Sequence, residues 1–134
     1  MHLRPAVCVL ALALGACAST QQLACTGAGQ SSIHDALYFG TAKPGGTVSP
    51  EEWSAFLGSA VTPRFPQGLT AWQASGQWRG ADGAIVQEAS HVLDLVHSDD
   101  ADSEQRVREI VAEYKSRFQQ EAVLRVKARA CASF

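Results

Sequence analysis

The sequence predicts an α+β domain: four strands and two helices in the order strand, helix, strand, strand, helix, strand. Three observations carry that expectation. A complete helix start stands at Ser49-Pro50-Glu51-Glu52. A turn with Asp82-Gly83 joins two long alternating stretches. A second amphipathic stripe is followed by strict alternation from Ala122 to Cys131. At 134 residues the chain suffices for one domain and is too short for two. Its net charge of −2 argues against nucleic acid as a partner.

The first residues stand apart from that domain. Arg4 supplies a positive start, and Ala6–Leu14 is an apolar run too short to span a bilayer, the pattern of a signal peptide over residues 1–16. Leu14-Gly15-Ala16-Cys17 resembles the bacterial lipobox, which implies cleavage before Cys17 and acylation of that cysteine. The other reading is an ordinary secretory signal cut near Ala16 or Ala18. Ala18 follows the cysteine where an aspartate would retain a lipoprotein in the inner membrane. By that resemblance the address is the outer membrane, facing the periplasm, with the lipid on Cys17 as membrane partner. Acyl burial contributes about 0.8 kcal/mol per CH₂. Without residues 1–16 the chain keeps ten basic and thirteen acidic groups, a net charge of −3. Residues 17–34 are small and polar and read as a tether, leaving 35–134 as the domain. Cys8 goes with the signal and Cys17 takes lipid, so Cys25 and Cys131 remain as a candidate disulfide in an oxidising compartment.

Asp35–Ala42 is the first strand, aromatic at Tyr38 and Phe39 and stopped by Lys43-Pro44-Gly45-Gly46. The two glycines are a turn; the rest of a phosphate-loop pattern is missing. The first helix opens with Ser49 as N-cap, Pro50 at its first position and Glu52 closing a capping box. Val48 and Trp53 form a hydrophobic staple, and Trp53, Phe56, Leu57, Ala60 and Val61 share one stripe. Thr62-Pro63 ends it. The second strand runs from Leu69 to Trp78, with Trp72 and Trp78 on one side and Gln73, Gln77 and Arg79 on the other. The third runs from Ile85 to His97, with a bulge expected at Ala89-Ser90.

The acidic run Ser98–Glu104 complements a helix start, where Asp102 and Gln105 form a second capping box. Val107, Ile110, Val111, Tyr114 and Phe118 make the second buried stripe, with Glu104–Arg108 and Glu113–Arg117 as outward pairs. In the fourth strand, Leu124, Val126, Ala128 and Ala130 share a face, which apolar burial assigns to the core. Arg125, Lys127 and Arg129 then point away. Two helices covering one face of a four-stranded antiparallel sheet make the split βαβ, ferredoxin-like arrangement, βαββαβ. There the last strand lies against the first, bringing Cys131 near Cys25.

At Leu37-Tyr38-Phe39-Gly40, Val61-Thr62-Pro63-Arg64-Phe65-Pro66, Gly68-Leu69-Thr70, Gly76-Gln77-Trp78-Arg79 and Cys131-Ala132-Ser133-Phe134, the chain resembles a family of small exported bacterial proteins, domain of unknown function family 3574. The resemblance implies no catalytic residue or ligand.

The open sheet face is then the candidate site. Arg125, Lys127 and Arg129 would form a basic row, Gln77 and Arg79 a polar one, with Tyr38 and either Glu88 or His91 between. Gln73 and Ser75 belong to that polar row, and such a surface suits a small anionic or sugar ligand, or an envelope protein. It equally suits solvent, or a homodimer that packs two sheets. Arg64, between prolines, suits an anion contact or a salt bridge. His91 and His97 stand about 20 Å apart along a strand, so no metal site is expected. No cofactor pattern and no nucleophile elbow occur. The tryptophans read as core residues. The reading is a non-catalytic ligand- or protein-binding module. The alternatives are a small enzyme of the dimeric ferredoxin-like type, an isomerase or oxygenase, and a structural component of the envelope.

Overall fold

Alternation along the first strand sets the inside of the molecule: Ile33, Asp35, Leu37 and Phe39 are buried, while His34, Ala36 and Tyr38 point the other way. The computed structural model describes residues 25–80 and 82–133. The signal segment 1–16, Cys17 and the first part of the tether lie outside the described residues. Strand β1 (Gln30–Gly40) begins within the stretch read as tether and is followed by a short hairpin, β2 (Ala42–Lys43) and β3 (Gly46–Thr47). Helix α1 (Pro50–Phe56) continues into one π-helical turn, Leu57–Val61. Then come β4 (Thr70–Arg79), β5 (Ile85–His97), α2 (Ala101–Phe118) and β6 (Leu124–Ala132).

The four long strands form one antiparallel sheet in the order β4-β5-β1-β6. The chain is thus a mixed α+β domain with a four-stranded antiparallel sheet and two helices. Pairing is continuous along β5, from Thr70 opposite Asp94 to Arg79 opposite Ile85, so the expected bulge at Ala89-Ser90 is absent. Leu37 stands opposite Leu93 and Asp35 opposite Leu95, which puts the buried side chains of both central strands on one face.

Both helices cover that face. The Ser49 capping box forms as the sequence predicts, with the Ser49 hydroxyl accepting from Glu52 N and the Glu52 carboxylate accepting from Ser49 N. Trp53 and Phe56 reach Phe39, with ring centroids 5.3 and 6.0 Å away. From α2, Tyr114 meets Phe39 at 4.6 Å and Phe56 at 5.1 Å. Such tilted and edge-on pairs contribute about 0.5–1.5 kcal/mol each beyond the area they bury. The π turn, in which Thr62 N donates to Leu57 O at 2.9 Å, turns both Ala60 and Val61 fully inward. At the start of α2 the cap is Asp100, which accepts from Ser103 N at 2.7 Å, and not Asp102. The positive run of donors at that end takes the nearest carboxylate held in extended backbone.

Cys25 and Cys131 are bridged, with Cα atoms 5.6 Å apart. Ser31 stands opposite Cys131 in the β1–β6 ladder, so antiparallel pairing of the first and last strands is what brings the two cysteines together.

Candidate functional site

The basic row of β6 lies on the helix side of the sheet. Leu37 pairs with Arg125, Asp35 with Lys127 and Ile33 with Arg129, so the three cations share the face of the buried side chains. This corrects the expectation that they stand on the open face. The reason is Asp35, fully buried under α2. A carboxylate there needs compensating charge, and only the neighbouring strand supplies it. Arg125 donates from Nε and Nη2 to Asp35 at 2.7 Å each, and from Nη1 and Nη2 to Glu104 at 2.8 and 2.9 Å. Lys127 reaches Glu104 at 2.8 Å and Arg129 reaches Asp99 at 2.9 Å. His97 Nε2 meets the remaining side of Asp35 at 2.8 Å.

Electrostatics follows the geometry. Burial raises the Asp35 carboxyl, but hydrogen bonds from Arg125 and His97 outweigh it and hold the group below its ordinary value. Glu104 is held far below the carboxylate range by Arg125, then Lys127 and Arg108. Arg125 is raised in turn by Asp35 and Glu104. Each member has an internal partner among the described residues, and through Arg125, Lys127 and Glu104 this cluster ties α2 to the sheet.

The other expected residues disperse. Arg64 spends its guanidinium on α2, pairing with Glu109 at 3.2 Å and Glu113 at 3.1 Å, and donates to Ala60 O at 2.6 Å. It is a salt bridge, and it takes the Glu113 that was expected to pair with Arg117. His91 stacks flat on Trp53 with centroids 4.4 Å apart, and burial lowers its pKa. Gln77 and Arg79 sit on the exposed arm formed by the outer halves of β4 and β5. Among the described residues no group of three His, Cys, Asp or Glu is placed to hold a metal.

The open face is therefore built from the opposite set of side chains, and it is apolar. Trp72, Val92, Tyr38 and Leu124 form one cross-strand row, each opposite the next in register. Trp72 is 45% exposed, Trp78 52% and Leu124 61%, so Trp72 and Trp78 are surface residues and not core. Alternation in β4 and β6 offered two ways to orient each strand, and the helices reach neither strand far enough to bury the larger side chains.

Where β1 ends at Gly40 and β6 begins at Leu124, the β4–β5 arm runs on alone. The step leaves a cleft of about 640 Å³. Tyr38, Trp78 and Leu124 supply its apolar walls; Glu88, Glu121, Lys43, Gln77 and Gln120 are among its polar groups. Gln120 is held by donating to Ala42 O, just past Gln119, which closes α2 in the left-handed conformation at φ 53°. Glu88 accepts a 3.4 Å contact from Ala42 N and has no cationic partner among the described residues. Of the residues singled out from sequence, Tyr38, Gln77 and Glu88 meet here. Trp78 and Leu124 were missed because apolar residues in a strand read as core.

A family model described as protein of unknown function, DUF3574, matches residues 34–134, and the chain belongs to that family. No curated protein matches by sequence. Two solved structures of a phage SAM lyase are similar in fold. The complex with S-methyl-5'-thioadenosine is 16% identical with a TM-score of 0.56, covering 79% of this chain and 92% of that one. The apo state is 17% identical with a TM-score of 0.54, covering 84% and 91%. At such identities the likeness is one of fold.

Proposed function

Taking membership of that family as the premise, we propose that this chain is a non-catalytic binding module of the bacterial envelope. It takes a small ligand in the cleft at the end of its open sheet face. The observation that carries this reading is the cleft's composition: aromatic and aliphatic walls with the carboxylates of Glu88 and Glu121, and a lysine, Lys43, that is paired with Glu52. A volume of about 640 Å³ suits a small organic molecule. The chemistry favours a flat, neutral or cationic ligand, since Arg125, Lys127 and Arg129 are already neutralised on the other face. The strand order β4-β5-β1-β6 supports a ferredoxin-like reading of the fold. The Cys25–Cys131 bridge supports an oxidising compartment, in keeping with export and acylation at Cys17. Loss of palmitate labelling on Cys17→Ala tests the anchor.

One observation favours a second reading, a small enzyme: the fold is shared with a lyase solved with S-methyl-5'-thioadenosine. Calorimetric titration with S-methyl-5'-thioadenosine and with S-adenosylmethionine separates the readings. In a binding module both probes bind and neither changes. Glu88→Gln should weaken the cationic probe about tenfold, a loss of about 1.4 kcal/mol, and leave the neutral one nearly unaffected. Trp78→Ala should weaken both. Consumption of S-adenosylmethionine that stops in Glu88→Gln would favour the enzyme. Absence of binding by these and by a panel of flat heterocyclic cations would reject the cleft as a site.

A further inference from the structure

We propose that a second copy of this chain docks face to face on the open side of the sheet, related by a two-fold axis. The inference stands on the surface itself and not on the cleft's ligand.

The surface spans all four strands. On one side of the row Trp72, Val92, Tyr38, Leu124 stands Ala36 opposite Val126; on the other, past Ala74 opposite Ser90 and Gly76 opposite Glu88, stands Trp78 opposite Val86. Val126 is 50% exposed and Val96 49%. Scattered surface aliphatics need no explanation, but four strands presenting one apolar face mark an interaction site. At about 4.8 Å between strands, about 3.3 Å per residue and roughly ten residues per strand, the face covers about 600 Å² in plan. Side-chain relief carries that toward the roughly 800 Å² per partner of a stable complex.

The arm points the same way. From Gln77 to Gln87 the described residues of the hairpin are exposed on both faces, Ile85 to 54% and Trp78 to 52%. A two-stranded ribbon is marginal in water by itself. A neighbouring copy seated on the open face would reach this overhang at Trp78 and Val86, which point that way; Ile85 points to the helix side.

Charge selects the occupant. Among the described strand residues pointing to this face there is no lysine or arginine; its charged groups are the paired His34 and Asp94, and Glu88. An anionic membrane surface or an acidic partner would need cations there. A largely apolar face, with Glu88 toward its rim, is complementary to itself, and a two-fold contact uses the same patch on both copies. The cleft opens on the rim of the same face, so the partner also borders whatever binds there.

Sedimentation equilibrium of the full chain carrying Cys17→Ser, which removes the acylation site, tests the proposal. The expected result is twice the protomer mass across the micromolar range. In Leu124→Arg/Val126→Arg the dissociation constant should rise by on the order of 100-fold, because four cations would be driven into one apolar contact. Both side chains are half exposed or more, so the protomer should keep its circular dichroism and its disulfide. A measurement on the unaltered face guards against a variant that fails to fold: on dilution, emission from Trp72 and Trp78 should move to the red as the interface opens. A wild-type monomer at every concentration would overturn the proposal, as would a trimer, uptake by phosphatidylglycerol vesicles in place of self-association, or undiminished dimer in the double variant. A dimer that binds no small molecule would leave this inference standing and remove the cleft reading alone.

Discussion

Arg125→Ala should cost the domain about 3–5 kcal/mol, the range for removing one partner of a buried ion pair. The guanidinium makes four hydrogen bonds of 2.7–2.9 Å to two carboxylates. Asp35 has no exposed surface, and in the variant its oxygens keep only His97. The Glu104 side is 22% exposed, so water replaces part of what is lost there and the total falls toward the lower end. In a domain of this size each kcal/mol moves the melting temperature by about 4–8 °C, so a loss of at least about 12 °C is expected. Urea unfolding with the disulfide kept oxidised measures the cost, and Asp35→Leu/Arg125→Met supplies the control. Removing both charges together relieves their desolvation and should cost far less than Arg125→Ala alone. The pH dependence has a definite sign. In the folded protein the carboxyls of Asp35 and Glu104 titrate below the ordinary carboxylate range, held there by Arg125. Their contribution is complete above that range and is lost as pH falls through the folded values, so the gap between wild type and Arg125→Ala should narrow in acid. A cost under about 1 kcal/mol at neutral pH would mean that the arginine–lysine row faces water and that the helices lie on the other side of the sheet.

Cys131→Ser should lower stability by about 4–5 kcal/mol in the chain-entropy account, since the bridge closes a loop of 106 residues; an unchanged unfolding midpoint in reductant would contradict it. Tyr114→Phe should cost about 1–2 kcal/mol, because the buried hydroxyl donates to Gly40 O at 2.9 Å and leaves that carbonyl unpartnered when removed. His91 is buried against Trp53 with its pKa lowered from 6.5, so the unfolded chain binds the proton more readily. Its contribution is present above about pH 6.5 and declines as pH falls below it, and His91→Gln should flatten that part of the stability curve.

Much of the fold was legible in the chain itself, and the reasons are local. The cap at Ser49, the stop at Thr62-Pro63 and the two helical stripes depend on neighbours within a turn or two, and all stand where the sequence puts them. The span Ile85–His97 was likewise readable from alternation bounded by turn residues. What local pattern did not carry was the end of α1 as a π turn and the choice of Asp100 over Asp102 as cap. Both depend on how the chain enters or leaves the sheet. The cleft was only half visible: its polar residues stood out, while its aromatic wall looked like core. Asp35 was the available clue. A lone carboxylate in the alternation Ile33, Asp35, Leu37, Phe39 asks for a buried cation, and the partner strand must provide it.

The amino-acid order by itself determined the four long strands, the two helices, their sequence and the cysteine pair. Those follow from capping, periodicity and residue counting along a single strand of chain. The tertiary structure alone decided which side of β4 and β6 turns inward. A period of two has two equivalent phases. On β6 the apolar phase would fill the core, yet the charged phase takes that side because Asp35 must be neutralised where water cannot reach. The displaced apolar set, Leu124 and Val126 on β6 with Trp72 and Trp78 across the sheet, is left outside as the surface on which the protein's function is to be sought.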